Sequence, residues 1–179
     1  MATHDCHGHH GSSRYGVSQS LEELAFEKGI WGAALDGNVE KLKSLLSKGE
    51  DPSIPDSSGY TALHYASRNG KEAACKVLLA NGANPNAQTN GGATPLHRAA
   101  FLGHQNIVSL LLLHKANPSI SDSDGKTALH KAAEAQNLEV CRVLVGLKSE
   151  LVKITDKRGY LPVHYVKENN TALLTLLKV

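Results

Sequence analysis

Four histidines recur along the chain at almost constant spacing, and imidazole is the side chain most often used for acid–base chemistry. The spacing is 33, 33 and 34 residues between His64, His97, His130 and His164. If each histidine belongs to one unit of a repeated structure, equivalent residues lie about 10 Å apart, the usual distance between packed helices. A single metal ion or a shared proton cannot span that distance. The pattern therefore predicts one structural histidine per unit, and a protein that is not an enzyme.

The three cysteines, Cys6, Cys75 and Cys141, do not have the spacing of a redox or zinc site. Cys75 and Cys141 lie two periods apart, at positions that other units fill with Leu42 and Val108. A cysteine there acts as a small apolar residue of the core. The sequence also has no Cys-x-x-Cys pair, no recognisable Ser-His-Asp arrangement and no phosphate-binding glycine loop, so no cofactor is predicted.

Metal-binding side chains crowd together in the N-terminal stretch. Residues 1–19 are rich in His, Gly and Ser, and we predict disorder because few apolar side chains are available to offset the entropy of ordering. Their nitrogen and sulfur atoms could hold Cu(II), Ni(II) or Zn(II), which makes a metal-binding protein the alternative function. A functionally idle tail is the simpler interpretation. The candidate ligands are His4, Cys6, His7, His9 and His10.

A repeat of the same period must position these residues. Each of four segments begins with a glycine and ends with one of the histidines, as from Gly59 to His64 and from Gly92 to His97. Small residues such as Ala99-Ala100 follow and let helices approach closely, while leucine pairs further on build a continuous core when units stack. Each unit is therefore predicted to run from a finger turn through a short inner helix to a longer outer helix.

These features resemble the ankyrin-repeat family, in which units of 33 residues carry a Thr-Pro-Leu-His-like core followed by two helices. The resemblance covers residues 26–179 and implies an all-α solenoid of helix-turn-helix units joined by β-turn fingers. It also implies that the Thr and His of each core bond backbone groups and tie successive units together. The predicted ankyrin domain covers residues 20–179, with a degenerate first repeat at 26–55, repeats at 56–88, 89–121 and 122–155, and a truncated repeat at 156–179.

The family resemblance further implies a non-catalytic module that binds a protein partner through a concave groove of fingers and inner helices. Groove residues are the ones that vary between units, because the stack does not constrain them. Phe101-Leu102 stands out, as equivalent positions hold Arg68-Asn69 and Glu134-Ala135; the apolar pair either contacts a partner or folds back over its neighbour. The predicted partner-binding residues are Tyr60, Tyr65, Arg68, Asn90, Arg98, Phe101, Leu102, Lys126, Lys131 and Glu134.

Three of these groove residues, Arg68, Arg98 and Lys131, form a predicted basic row one period apart. Such a row would favour a partner with an acidic segment, and a solvated row is the alternative.

The C-terminal third is predicted to be the least regular. Lys115 and Lys148 stand where glycine ends the earlier outer helices, and Gln136 replaces the glycine between two helices. Leu173 and Leu176 fall on positions that the previous unit fills with charged residues. Either the helical register shifts there or an apolar face is exposed at the end of the stack.

Composition excludes several other functions. The net charge of +2 is too small for the basic face that a nucleic-acid-binding protein carries. The sequence has no apolar run of the roughly 18 residues that a membrane helix needs, and no apolar region typical of a signal peptide. We therefore expect an intracellular, cytoplasmic and/or nuclear monomer.

Overall fold

The computed structural model describes residues 26–178, which form pairs of short helices stacked in the order of the chain. The predicted disordered tail lies outside the described residues. Apart from an isolated bridge between Ser121 and Thr127, the described part contains no strand, and the predicted all-α solenoid is confirmed. The inner helices are α1 (Ile30–Asp36), α3 (Ala62–Arg68), α5 (Pro95–Leu102) and α7 (Ala128–Glu134), and the outer helices are α2 (Val39–Ser47), α4 (Glu72–Ala80), α6 (Gln105–Leu113) and α8 (Leu138–Leu147).

The inner helices α3, α5 and α7 begin at a reciprocal cap between a threonine and a histidine. The Thr61 amide donates to Nδ1 of His64 at 3.1 Å, and the Thr61 hydroxyl lies 3.0 Å from the same atom. The same contacts recur at Thr94 and Thr127. Because helix N-termini leave backbone N–H groups without intrahelical partners, this cap defines where each inner helix starts.

The core lies between the two helix layers and repeats with the sequence period. Leu42, Cys75, Val108 and Cys141 are fully buried at equivalent places of the four outer helices. The small residues of the inner helices, such as Ala99-Ala100, are buried as well. Burial raises the pKa of Cys75 to about 11 and that of Cys141 to about 12, so both thiols stay protonated and act as apolar core residues.

The fingers are hydrogen-bonded turns that also bond to one another through the backbone. In the second unit the Asp56 amide donates to the Tyr60 carbonyl at 2.8 Å. Between fingers, the Asn90 amide donates to the Ser58 carbonyl at 3.0 Å. Equivalent bonds run from Ser123 to Gly91 at 2.8 Å and from Lys157 to Asp124 at 3.0 Å. The four fingers are therefore held in one row beside the inner helices.

Beyond α8 the repeat becomes irregular, as predicted. A 3₁₀ helix at Ser149–Lys153 contains the extra residue of this unit, and a second at Pro162–Tyr165 takes the place of an inner α-helix. The last helix, α9 (Thr171–Leu177), buries Leu173 completely and Leu176 partly, so the interpretation as a shifted register is confirmed.

Two of the three replaced glycines keep the left-handed backbone. Lys115 has φ 66° and Gln136 has φ 61°. Lys148, which stands where glycine ends the earlier outer helices, does not keep it: its φ is −150°, because the chain turns directly into the 3₁₀ helix that follows.

Candidate partner-binding groove

The repeated histidines connect each unit to the next. Nε2 of His64 lies 3.0 Å from the Ala93 carbonyl oxygen, and Nε2 of His97 lies 2.9 Å from that of Lys126. His130 makes the same contact with the last unit. Because a backbone amide can only donate, Nδ1 is the acceptor at the cap and the proton sits on Nε2, which donates to the carbonyl. The predicted structural role of these three histidines is confirmed.

Burial keeps these rings neutral. It lowers the pKa of His64 to about 4, and it also lowers the pKa values of His97 and His130. Both ring nitrogens are occupied by hydrogen bonds, so none of the three is free to transfer protons. The fourth histidine, His164, is exposed and accepts a 2.8 Å hydrogen bond from the Leu161 amide.

Aspartates at the start of the fingers tie each turn to its own inner helix. Oδ1 of Asp56 accepts the amides of Ser58 and Tyr60, both at 2.8 Å. Its Oδ2 accepts the Tyr65 hydroxyl at 2.6 Å, nine residues further on. Burial and this bond to Asp56 raise the pKa of Tyr65. The Tyr65 hydroxyl therefore stays protonated and donates its hydrogen bond to Asp56.

The fourth and fifth units repeat the arrangement with their own residues. Asp122 accepts Nζ of Lys131 at 2.8 Å, and Asp156 accepts the hydroxyl of Tyr165. The bond from Tyr165 holds the pKa of Asp156 at about 2. Burial raises the pKa of Asp122, but hydrogen bonds from Lys131 and the Lys126 amide outweigh it and hold the value below the usual range. Both carboxylates are charged at neutral pH.

The third unit breaks this pattern. Thr89 occupies the aspartate position, and its hydroxyl accepts the Ala93 amide at 3.2 Å. Arg98, nine residues on, therefore has no carboxylate in its own finger. Its guanidinium instead lies 5.0 Å from the ring centroid of Tyr60 in the preceding unit and donates from Nη2 to the Tyr60 hydroxyl. Nε of Arg98 is buried and has no hydrogen-bond partner among the described residues.

Aromatic rings line the groove on the N-terminal side of Arg98. The centroids of Tyr60 and Tyr65 lie 5.4 Å apart, and Phe26 meets Tyr65 edge to face at 5.2 Å. Trp31 stacks on Phe26 and donates from Nε1 to the Ile54 carbonyl at 2.9 Å. Edge-to-face and tilted pairs are favourable arrangements for aromatic rings, so this part of the groove is packed and rigid.

Only part of the predicted basic row is available to bind an acidic partner. Lys131 is paired with Asp122, as described above, whereas Arg68 is exposed at the end of α3. Lys126 lies outside the row; its Nζ contacts Glu134 at 2.9 Å and lies 4.1 Å from the centre of the Tyr165 ring. Two predicted partner-binding lysines thus already have anionic partners within the chain.

Phe101 and Leu102 remain about half exposed, at 45% and 47% of their surface. They end α5 beside a cavity of about 350 Å³, which we call the central cavity; Thr89, Arg98, Phe101, Asp122, Lys131 and Glu134 are among the residues that line it. Four predicted residues thus meet at one place. Tyr60 reaches the cavity through its contact with Arg98, and Tyr65 packs against Tyr60. The Asn90 side-chain amide is used in a 3.1 Å hydrogen bond to the Ser57 carbonyl.

The site residues predicted from the sequence do not include the finger residues Asp56, Thr89, Asp122 and Asp156. A signal was available, because each stands three positions before the first glycine of its repeated segment and only Thr89 is not an aspartate. Within residues 26–178 no group of three or more His, Cys, Asp or Glu side chains could hold a metal ion. The predicted metal ligands His4, Cys6, His7, His9 and His10 lie outside the described residues.

Comparison with known proteins identifies the repeat. A family model described as ankyrin repeats (3 copies) matches residues 30–122 and 111–178. The chain belongs to the ankyrin-repeat family. Ankyrin repeats are protein–protein interaction modules and are generally non-catalytic.

Individual relatives match a shorter region of the chain. Ankyrin repeat domain-containing protein 39 from Homo sapiens is 62% identical over 64 residues, which cover 36% of this chain and 35% of that protein. The Bos taurus protein of the same name is 59% identical over a segment of the same length, with the same coverage. Potassium channel KOR2 from Oryza sativa subsp. japonica is 43% identical over 58 residues, 32% of this chain and 8% of the channel. The match thus spans about a third of the first two relatives.

None of the helices in residues 26–178 is both long enough and apolar enough to cross a lipid bilayer.

Proposed function

We propose that this ankyrin-repeat protein is a non-catalytic adaptor that binds a segment of a partner protein along the groove of fingers and inner helices. The observation that carries the proposal is the exposed pair Phe101-Leu102 beside the central cavity. Apolar side chains at the turn that ends an inner helix add nothing to the core of the stack. Buried by a partner, the same side chains would contribute to binding.

The neighbouring units support this interpretation. The positions equivalent to Phe101-Leu102 hold Arg68-Asn69 in one unit and Glu134-Ala135 in the next, so the repeat itself does not require apolar residues there. Aromatic residues and arginine are enriched at the energetic centres of protein interfaces. Phe101, Tyr60 and Arg98 bring these residue types to the middle of the groove.

A second support is the rigidity of the surrounding polar groups. The Tyr65, Lys131 and Lys126 side chains are each held by a carboxylate of the chain itself. A surface whose side chains are already ordered loses little conformational entropy on binding. We therefore propose that these residues shape the groove, and that Arg68, Arg98, Phe101 and Leu102 make the contacts that select the partner.

Site-specific photo-crosslinking tests the location. A photoreactive phenylalanine analogue at position 102 in the groove is compared with the same analogue at position 113, at the end of the outer helix α6, where Leu113 is 78% exposed. In cells, we expect a discrete crosslinked protein from position 102 and none in common from position 113. Phe101→Glu should abolish that crosslink, while Leu113→Glu should leave it unchanged.

The outcome that would contradict the groove is equally specific. If the same partner crosslinks from position 113 and Phe101→Glu has no effect at an unchanged melting temperature, the outer helices are the binding surface. Phe101 is only 45% exposed, so melting temperatures equal to that of the wild type are required of both variants before the crosslinks are compared.

A further inference from the structure

We infer that the groove binds an Asp or Glu side chain of the partner segment at Arg98, in the place that an aspartate of the third finger would otherwise occupy. The inference rests on the proposed function and names the chemistry of the partner. It starts from the finger pattern: Asp56, Asp122 and Asp156 each bind the side chain nine residues further on. In the third finger Thr89 supplies no carboxylate, while Arg98, nine residues further on, is still a cation.

Arg98 is consequently a cation without a counter-ion in its own unit. One face of the Arg98 guanidinium lies over the Tyr60 ring, and its Nη2 donates a hydrogen bond to the Tyr60 hydroxyl. Nε is enclosed and bonds to nothing in the described part of the chain. A buried donor of a charged group is unfavourable without an acceptor, and a carboxylate bound to a guanidinium makes two parallel charge-assisted hydrogen bonds.

The charged side chains around the central cavity leave one positive charge without a negative partner. Of its lining residues, Lys131 is neutralised by Asp122, and Glu134 by Lys126. His97 also lines the cavity, but burial lowers its pKa and keeps it neutral. Among the described lining residues, Arg98 is therefore the one charge that is not compensated. A carboxylate entering the cavity balances it, whereas a phosphate would bring a second negative charge close to Asp122 and Glu134.

Phe101 determines which type of partner residue fits beside the acidic one. It lines the same cavity and is 45% exposed, and Leu102 beside it is 47% exposed. A partner residue adjacent to the acidic one would lie over these two side chains, and a large apolar side chain buries most surface there. The occupant is thus an extended protein segment with Asp or Glu next to a large apolar residue.

Selection from a displayed library of random 12-residue peptides tests this directly, because it does not require that the partner be identified first. The full chain is the bait, and the affinities of the enriched peptides are measured by fluorescence polarisation. Three variants follow: Arg98→Gln removes the cation, Thr89→Asp supplies an internal carboxylate, and Thr89→Asn is its uncharged control. We expect an acidic–apolar pair in the peptides and at least about tenfold weaker binding to Arg98→Gln and Thr89→Asp, with Thr89→Asn close to wild type.

Thermal melting supplies an independent readout, since Thr89→Asp should raise the melting temperature by pairing with Arg98 while Thr89→Asn should not. Peptides that lack an acid, or that bind Arg98→Gln and Thr89→Asp as tightly as wild type, overturn the inference. If such peptides still lose binding to Phe101→Glu, the groove function stands without the carboxylate site. A library that yields no peptide, or peptides unaffected by Phe101→Glu, contradicts both.

Discussion

The side-chain amide of Gln136 donates a 3.1 Å hydrogen bond to the carbonyl oxygen of Tyr165 in the last unit. Gln136 occupies a left-handed position that earlier units fill with glycine, and its Oε1 also accepts the Lys167 amide at 3.2 Å. The residue therefore accepts a less favourable backbone conformation and gains a connection between the fourth unit and the irregular end of the stack.

Replacing Gln136 by glycine is expected to destabilise the protein, although glycine fits the backbone better. The lost amide bonds are worth about 1–2 kcal/mol together, which exceeds the relief of left-handed strain after the added entropy of the unfolded chain is counted. Urea denaturation measures the free energy of unfolding.

Lys115→Gly is the matched control, because Lys115 has φ 66° and no side-chain hydrogen bond within the described residues. We expect it to stabilise by up to about 1 kcal/mol. Equal effects of the two substitutions would mean that the Gln136 amide contributes nothing.

Stability is predicted to fall as the pH drops from 6.5 towards 4. The pKa of His64 is about 6.5 in the unfolded chain and about 4 in the folded one, so the unfolded state binds more protons in this range. The loss from His64 alone is on the order of 3 kcal/mol and is complete below pH 4. His97 and His130, whose pKa values are also lowered, act in the same direction.

Urea denaturation at pH 7.5, 6.0 and 5.0 checks this window. A His64→Asn variant should be less stable at pH 7.5 but less sensitive to pH. Carboxylates such as Asp156, with a pKa lowered from 3.8 to about 2, contribute stability above pH 3.8 that is lost only as the pH falls through that lower range. A free energy of unfolding that does not change between pH 7.5 and 5.0 would refute the neutral-histidine assignment.

The Asp122–Lys131 pair should show a measurable coupling energy. The side chains are only 7% and 22% exposed, and Asp122 also accepts the Asp124 and Lys126 amides. Asp122→Asn is expected to lower the free energy of unfolding by about 1–3 kcal/mol, because it weakens three bonds to a buried carboxylate. Lys131→Met should have a smaller effect.

A double-mutant cycle on this pair isolates the side-chain interaction from the finger turn. The exposed pair Glu139–Arg142, with side chains 62% and 55% exposed, serves as the control and should give a coupling close to zero. If both cycles give the same coupling, the fingers are not electrostatically tied to the inner helices.

Truncating Leu173 tests the shifted register of α9. The side chain is fully buried, so Leu173→Ala is expected to destabilise by about 2–4 kcal/mol if α9 unfolds together with the rest. Leu113→Ala, at a side chain that is 78% exposed, should have almost no effect. Hydrogen exchange distinguishes a global loss from local opening of the last helix; unchanged stability and exchange would contradict the packing of Leu173.

Much of the fold was predictable because stacking repeats the same environment in each unit. Leu42, Cys75, Val108 and Cys141 fall at one register and all are buried, so an apolar pattern with a fixed period is sufficient to place them. The backbone of Gln136 was predictable for the same reason. Lys148 was not, because one inserted residue changes the direction of the chain after α8 in a way that the period cannot describe.

The candidate site was harder to predict, since its electrostatics depend on contacts between residues nine apart across a turn. The basic row read from the sequence counts Lys131 as a free cation, but the finger geometry brings Asp122 within 2.8 Å of it. Conversely, Arg98 is left without an ion-pair partner in its own finger because Thr89 has no carboxylate. The sequence marks that position only when the four fingers are aligned and the exception among the aspartates is noticed.

The contact between Arg98 and Tyr60 crosses a repeat boundary, and this bears on how such a protein changes over generations. Recombination that deleted or exchanged the second unit would leave the helices of the other units in place yet give Arg98 a different neighbour. The stack would survive while its binding preference changed at once. Engineering new specificities from this chain should therefore transplant the second and third units as one cassette.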